Sequence, residues 1–189
     1  MASYVVGITG ASGSVYGVRA LQALRVLRGS TVHLVLTPSA ARTLRLETQF
    51  SVEDVTKLAD ALHDAADLAA PIASGSFKTD GMLVAPCSIK TAAAIAYSLN
   101  DNLLVRAADV CLKERRRLVL VVRETPLHLG HLRTLTRLAE IGAVILPPAP
   151  GFYAKPKSVE DIVDHTVGKA LDLLGVEHEL FARWRGAQR

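Results

Sequence analysis

The sequence predicts an α/β protein of the three-layer α/β/α type: a Rossmann-like (flavodoxin-like), doubly wound parallel sheet between two layers of helices. Three observations predict it. Short β-branched runs are apolar at nearly every position, as strands buried on both faces are. Helical periods separate these runs, which is the signature of βαβ units. A glycine-rich turn, "GITGASG" at residues 7–13, joins the first apolar run to the first helical stretch. With 189 residues and no linker, repeat or low-complexity tract, the chain reads as a single domain over 1–189.

The strands are expected at 4–8 (YVVGI), 31–36 (TVHLVL), 81–86 (GMLVAP), 117–122 (RLVLVV) and 143–148 (AVILPP), each bounded by Gly, Pro or polar residues. Helical patterns fill 14–28, 38–47, 51–66, 88–98, 103–114, 128–141 and 158–174. The last carries Val159, Ile162, Val163, Val167, Ala170, Leu171 and Leu174 on one stripe, with Ser158 as its cap and Gly175 as its stop. The least regular segment, 67–80, reads as a short strand followed by a loop.

Half of the residues are apolar and only 5% aromatic, so the core is expected to be aliphatic, with part of the apolar surface covered by further subunits. The formal charge is +4, yet the basic residues are dispersed apart from "KERRR" at 113–117. Without clustered bases and interleaved aromatics, small anions suit the chain better than nucleic acid. Two cysteines, Cys87 and Cys111, speak for a reducing compartment rather than a disulfide framework. No apolar run approaches the roughly 18–20 residues that span a bilayer, and the chain enters a strand without a signal-peptide pattern. The expectation is a cytoplasmic protein with no membrane segment.

Ligands of doubly wound sheets bind beyond the carboxyl ends of the strands. The loops expected there are 9–14, 37–39, 73–80, 86–91, 123–130 and 147–157. In the first, Gly10, Ala11 and Ser12 open a helix whose N–H groups can meet an anion, although a plain βα turn with Ser12 as cap explains them equally well. A dinucleotide site would place an acidic residue at the end of the second strand; Thr37-Pro38-Ser39 stands there instead, hydroxyls that suit a phosphate or ribityl chain. In "PCSIKT", Ser88, Ile89, Lys90 and Thr91 start a helix as a phosphate cradle would, the simpler alternative being a capped helix with a surface lysine. Cys87 just before them is a packing residue more readily than a nucleophile. Arg123 and Glu124 follow a strand end, where they can bind an anion and carry a proton. His128 and His131 resemble a metal pair but have no third ligand nearby, so no metal is expected. Phe152 and Tyr153 tip a rigid proline-rich loop that can line a pocket or a subunit contact.

"GITGASG", "ASGSF", "APCSIKT", "NLLVRAADVCLKERRRLVLVVRETPLHLGHL" and "GAVILPPAPGFYAKPKSVEDIV" resemble the UbiX family of flavin prenyltransferases from about residue 5 to Trp184. The resemblance implies FMN, in its reduced form, as acceptor of a dimethylallyl group from dimethylallyl monophosphate at N5 and C6. It implies a homo-oligomer, a dodecamer, with sites at subunit contacts, and a downstream UbiD-type decarboxylase that receives the prenylated FMN. By matching positions it assigns Gly10, Ala11, Ser12, Thr37, Ser88, Ile89, Lys90, Thr91 and Arg123 to FMN. The prenyl phosphate falls to Arg106, Lys113, Arg123, Glu124, Tyr153 and Lys169, with Trp184 on the closing C-terminal segment. Ser12, Glu47, Lys113 and Glu124 are the residues implied for catalysis. The family commonly has Arg where this chain has Lys169, a change that keeps the charge and loses the bidentate fork.

Chemistry supports the resemblance. Prenyltransferases that use Mg²⁺ hold a diphosphate through aspartate clusters, and this sequence has no adjacent Asp-Asp pair. A monophosphate can leave with help from fixed cations and an acid. Two alternatives remain open: a flavin-dependent cysteine decarboxylase of the same superfamily, whose P-x-M-N-type clamp "PPAPGFY" lacks, and a non-catalytic FMN-binding partner subunit.

Overall fold

Successive residues of a strand face opposite sides of its sheet, so an uninterrupted apolar run requires cover on both. The computed structural model describes residues 2–27, 29–184 and 186, and it shows both sides covered. The elements run β1 (Ala2–Ile8), α1 (Ser14–Arg25), β2 (Ser30–Leu36), α2 (Pro38–Glu47), α3 (Val52–Thr56), β3 (Ala61–His63), β4 (Gly81–Cys87), α4 (Ile89–Ala96), α5 (Leu103–Lys113), β5 (Arg117–Val122), α6 (Leu129–Glu140), β6 (Val144–Ile145) and α7 (Val159–Leu174). Short 3₁₀ turns occupy Pro71–Ala73 and Phe152–Ala154.

The strands form one parallel sheet in the order β3-β2-β1-β4-β5-β6. Val6 and Ile8 of β1, Leu83 of β4 and Val119 and Val121 of β5 enter one core, covered by α1, α2, α3 and α7. Val5, Met82, Val84, Leu118 and Leu120 enter the other, covered by α4, α5 and α6. β1 therefore has β2 on one side and β4 on the other, with crossovers leaving in opposite directions. A crevice opens at the carboxyl ends of β1 and β4.

The termini of α7 lie where its sequence signals place them. Ser158 and Asp161 form a reciprocal capping box, and Gly175 stops the helix at φ 76°, a left-handed conformation suited to glycine.

Three expectations need correction. The helix expected over 51–66 is only α3, with a Ser51/Asp54 capping box, followed by β3. The free edge of β2 prevails over helix propensity: Asp60 N–H donates to the Val32 carbonyl at 2.9 Å and the Asp60 carboxylate accepts the Val32 amide at 2.8 Å, which draws the chain into extended pairing. Residues 67–80 hold no strand. Asp64 and Asp67 turn the chain by accepting the Ala66 and Ala69 amides, and the segment leads into the amino end of β4. The last strand contracts to Val144–Ile145, because Leu120 of β5 receives only one further amide, from Leu146. Among the described residues no helix is long and apolar enough to cross a membrane.

Candidate functional site

The crevice at the carboxyl ends is knitted together by a residue whose importance the sequence alone does not reveal. Thr9, 1% exposed, donates its hydroxyl to the Pro86 carbonyl at 2.8 Å and accepts the Ser88 amide at 2.9 Å. One buried hydroxyl thus holds the end of β1 to the turn after β4. Gly10 then passes so close to α2 that a Cβ would lie 2.5 Å from that of Ser39. The Thr43 hydroxyl donates to the Gly10 carbonyl at 3.2 Å. The first turn is therefore held from α2 as well as from β4.

Gly13, at φ 101°, is the N-cap of α1 and has no side chain with which to cap it. Ser12 does not supply the cap. Glu47, at the far end of α2, does: its carboxylate accepts the Gly13 amide at 2.8 Å and the Ser14 amide at 3.1 Å. Burial pushes this carboxyl up, but hydrogen bonds from Ser12, Gly13 and Ser14 outweigh it and hold the group below the usual carboxylate range. Glu47 is thus an ionised brace for the turn. The amides of Gly13 and Ser14, expected to face a ligand, are already engaged. Ala11 is half-buried, and Ser12 is exposed with its hydroxyl bonded to Glu47.

Thr37 caps α2 by accepting the Ala40 amide at 3.2 Å, and Ser88 caps α4 by accepting the Thr91 amide at 3.2 Å while donating to the Thr91 hydroxyl at 3.0 Å. Both hydroxyls therefore have the capping work of the simpler reading. Beside the Ser88 cap, the first amides of α4, those of Ile89 and Lys90, have no protein acceptor among the described residues. Lys90 and Arg123 are exposed, and neither joins an ion pair among the described residues. Arg123 is fixed by its backbone, which donates to the Cys87 carbonyl at 3.0 Å. Tyr16 on α1 lies within reach of its charge: burial raises the phenol's pKa and Arg123 opposes that rise. Half-buried Glu124 follows, its carboxylate accepting the Thr125 amide at 3.1 Å. Open amides, hydroxyls and two unpaired cations form a donor set that fits a phosphate-bearing ligand.

Two expected partners lie elsewhere in this chain. Lys113 ends α5 just before the amino end of β5, whereas Arg123 and Glu124 follow its carboxyl end. Six strand residues at about 3.3 Å each separate the two edges by about 20 Å. Lys113 is paired with Glu114, and both pack on Gly75, where a Cβ would collide with them. Arg106, two turns earlier, donates to the Ala73 carbonyl at 3.0 Å and pairs with Asp109 at 3.2 Å. The loop 73–80 belongs to this amino edge and not to the crevice, since Arg116 ties the carbonyls of Gly75 and Phe77 there.

A third group sits on α7. The Tyr153 hydroxyl is 3.0 Å from His165 Nε2, its ring stands edge-on to Trp184 at 6.0 Å, and Lys169 lies one turn beyond His165. Tyr153 and Trp184 line a cavity of about 680 Å³ together with Lys155, His165, Phe181 and Arg183. None of its lining residues belongs to the ends of β1, β4 or β5. The expected residues therefore resolve into three groups: the crevice, the α5 pair, whose Lys113 stands at the opposite edge, and the α7 cluster.

Cys87 is fully buried, and burial pushes its thiol up to about 12, so it is a packing residue. His128 caps α6 through Nδ1, which accepts the Gly130 amide at 3.0 Å, and its ring lies against that of His131, 3.5 Å between centroids. Among the described residues no cluster of three or more His, Cys, Asp or Glu side chains could hold a metal ion.

A profile of the flavoprotein family matches residues 2–171. The flavin prenyltransferase UbiX of Escherichia coli K12 is 57% identical over 99% of this chain and 100% of its own length. Among solved structures, AnUbiX (PadA1) in complex with FMN and dimethylallyl pyrophosphate superposes with a TM-score of 0.96 at 49% identity, covering 99% of each chain. A dodecameric FMN-dependent UbiX-like decarboxylase from Escherichia coli O157:H7 superposes at 0.95 with 50% identity, over 97% of this chain and 100% of the other.

Proposed function

This chain belongs to the UbiX family of flavin prenyltransferases, and we propose that it transfers a dimethylallyl group from dimethylallyl monophosphate to N5 and C6 of reduced FMN. The product, prenylated FMN, serves a UbiD-type decarboxylase. The observation that carries this reading is the crevice itself: open amides of α4 beside unpaired Lys90 and Arg123, with a half-buried carboxyl, Glu124, next in the chain. Reduced FMN would supply the nucleophilic N5 and C6.

Gly10, Ala11, Ser12, Thr37, Ser88, Ile89, Lys90, Thr91 and Arg123 hold FMN in this reading, with the amides of Ile89 and Lys90 as its phosphate donors. The prenyl phosphate lies against Arg123 and Glu124 and is completed by Arg106, Lys113, Tyr153, Lys169 and Trp184. Because Lys113 stands about 20 Å along the sheet from Arg123, and Arg106 is tied to the Ala73 carbonyl and to Asp109, both come from a neighbouring copy in this reading. A homo-oligomer is thus a requirement of the chemistry, and the dodecamer of the similar Escherichia coli O157:H7 protein is the assembly we propose.

As a new bond would form from N5 of reduced FMN to C1, the bond between C1 and the phosphate oxygen would break, and fixed Lys and Arg donors would stabilise the departing phosphate dianion. Glu124 gives that phosphate a proton, and either Glu124 or the phosphate takes up the proton that leaves C6. Ser12, braced by Glu47, stands beside the reacting group. The protein works where FMN is reduced, in the cytoplasm.

The test is anaerobic incubation with reduced FMN and dimethylallyl monophosphate, followed by mass spectrometry of the extracted flavin. A mass gain of one prenyl unit is expected, and an unaltered flavin refutes the reading. Glu124→Gln should bind FMN normally yet slow the transfer, and Lys169→Ala should mainly weaken binding of the prenyl phosphate. A monomer with full activity would refute the shared site. Parallel titration with dimethylallyl pyrophosphate measures whether the mono- or diphosphate is preferred.

A further inference from the structure

The segment after α7 folds back onto that helix through two local features. Gly168 makes a notch, since a Cβ there would come within 2.5 Å of the Phe181 ring and 2.6 Å of His178. One turn further, Asp172 fastens the segment. The Arg183 guanidinium gives it two parallel hydrogen bonds, Nη1 to Oδ2 at 2.6 Å and Nη2 to Oδ1 at 2.7 Å, and His178 Nε2 lies 3.2 Å from Oδ1. From this anchor, ring contacts run from Phe181 to His165, from His165 to Tyr153, and from Tyr153 to Trp184, with centroids 4.9, 5.8 and 6.0 Å apart.

Lys169 borders the same carboxylate. Its Nζ is 3.9 Å from Asp172 Oδ2, a loose approach between residues three apart on one helix, and the side chain is 48% exposed. Asp172 therefore has two cations within reach, of which Arg183 holds both its oxygens. Hydrogen bonding from Arg183 holds the Asp172 carboxyl below its ordinary range; burial opposes this, and the charges of Arg183, His178 and Lys169 add to it.

We propose that Arg183 is a positioning residue for the substrate phosphate: by occupying both oxygens of Asp172, it keeps that carboxylate from neutralising Lys169. The inference rests on the reading of Lys169 as a ligand of the prenyl phosphate. An arginine at position 169 could hold a carboxylate and a phosphate on different edges of its fork. A lysine is a compact point charge, and one drawn down to Asp172 is withdrawn from the substrate. The carboxylate left behind also repels the phosphate.

Two substitutions separate this role from mere anchoring of the segment. Arg183→Gln loses the anchor and releases Asp172 to Lys169. Asp172→Asn loses the same anchor but leaves Lys169 unneutralised. Each variant, loaded with oxidised FMN so that no turnover occurs, is titrated with dimethylallyl monophosphate by calorimetry; kcat and KM follow with reduced FMN. Arg183→Gln should weaken binding about tenfold and raise KM alike, with kcat and FMN affinity unchanged. Asp172→Asn should stay within about twofold of the parent, and adding it to Arg183→Gln should restore binding. Equal losses in the two single variants, or no loss in Arg183→Gln, overturn the proposal. Unchanged affinity in Lys169→Ala instead overturns the reading of the phosphate site on which it rests.

Discussion

Replacing Glu47 tests whether a carboxylate at the end of α2 supports the first turn at a distance of 34 residues. Its oxygen takes two amides of α1, at 2.8 and 3.1 Å, where Gly13 brings no cap of its own. Loss of an N-cap costs about 0.5–2 kcal/mol, and the charge near a helix N-terminus contributes about 0.3–1 kcal/mol more. Glu47 is more than a third exposed, so solvent screening places its total toward the lower end, about 1 kcal/mol. In a domain of this size that is about 2–4 °C in Tm. Glu47→Ala should show this loss at pH 7, and Glu47→Gln, which keeps an acceptor without charge, about half of it. Because the folded carboxyl is held below its ordinary value of 4.5, its stabilisation is present above that pH. It disappears as pH falls through the folded value. Thermal unfolding followed by circular dichroism at pH 7 and pH 3 measures the difference. A gap between Glu47→Gln and the parent that is the same at both pH values, or absent at pH 7, refutes the brace.

Thr9→Val deletes both hydroxyl bonds that hold the end of β1 to the turn before α4, leaving only the longer Thr9 amide bond to the Pro86 carbonyl at 3.3 Å. FMN affinity should fall about tenfold and recover to within about twofold in Thr9→Ser, as read by flavin fluorescence titration. Cys87 and Cys111, with thiols pushed up by burial to about 12 and about 11, should resist iodoacetamide at pH 8 in the native protein and react once it is unfolded. The imidazoles of His33 and His63 lie 3.0 Å apart, nitrogen to nitrogen, and the Phe77 ring stands edge-on to His33 at 5.2 Å. Burial lowers the pKa of both; the charge of His63 lowers that of His33 further, while Asp60 and Asp67 oppose the shifts of His33 and His63 respectively. The unfolded chain therefore binds these protons first, so stability should fall as pH drops below about 6.5, and His63→Gln should flatten that fall in denaturant titrations.

Local signals determined most of the architecture. Uninterrupted apolar runs along residues 81–87 and 117–122 announce strands covered on both faces, and the Ser158–Asp161 and Gly175 signals mark the ends of α7, because apolar run, cap and stop act within a few residues. The hydroxyls, helix start and cations of Ser88 to Thr91 and of Arg123 are likewise written at strand ends. Tertiary structure decided what depends on partners distant in the chain. Residues 61–63 carry helix-forming Ala and Leu yet pair with β2, because an unpaired sheet edge outweighs propensity. Thr9 reaches across 77 residues to Pro86, and Glu47 reaches back 34 to Gly13. Lys113 has the charge that the chemistry calls for, but the length of β5 separates it from Arg123. A charge in the sequence has no direction until the sheet that carries it fixes one, and for Lys113 that direction is away from the crevice of its own chain.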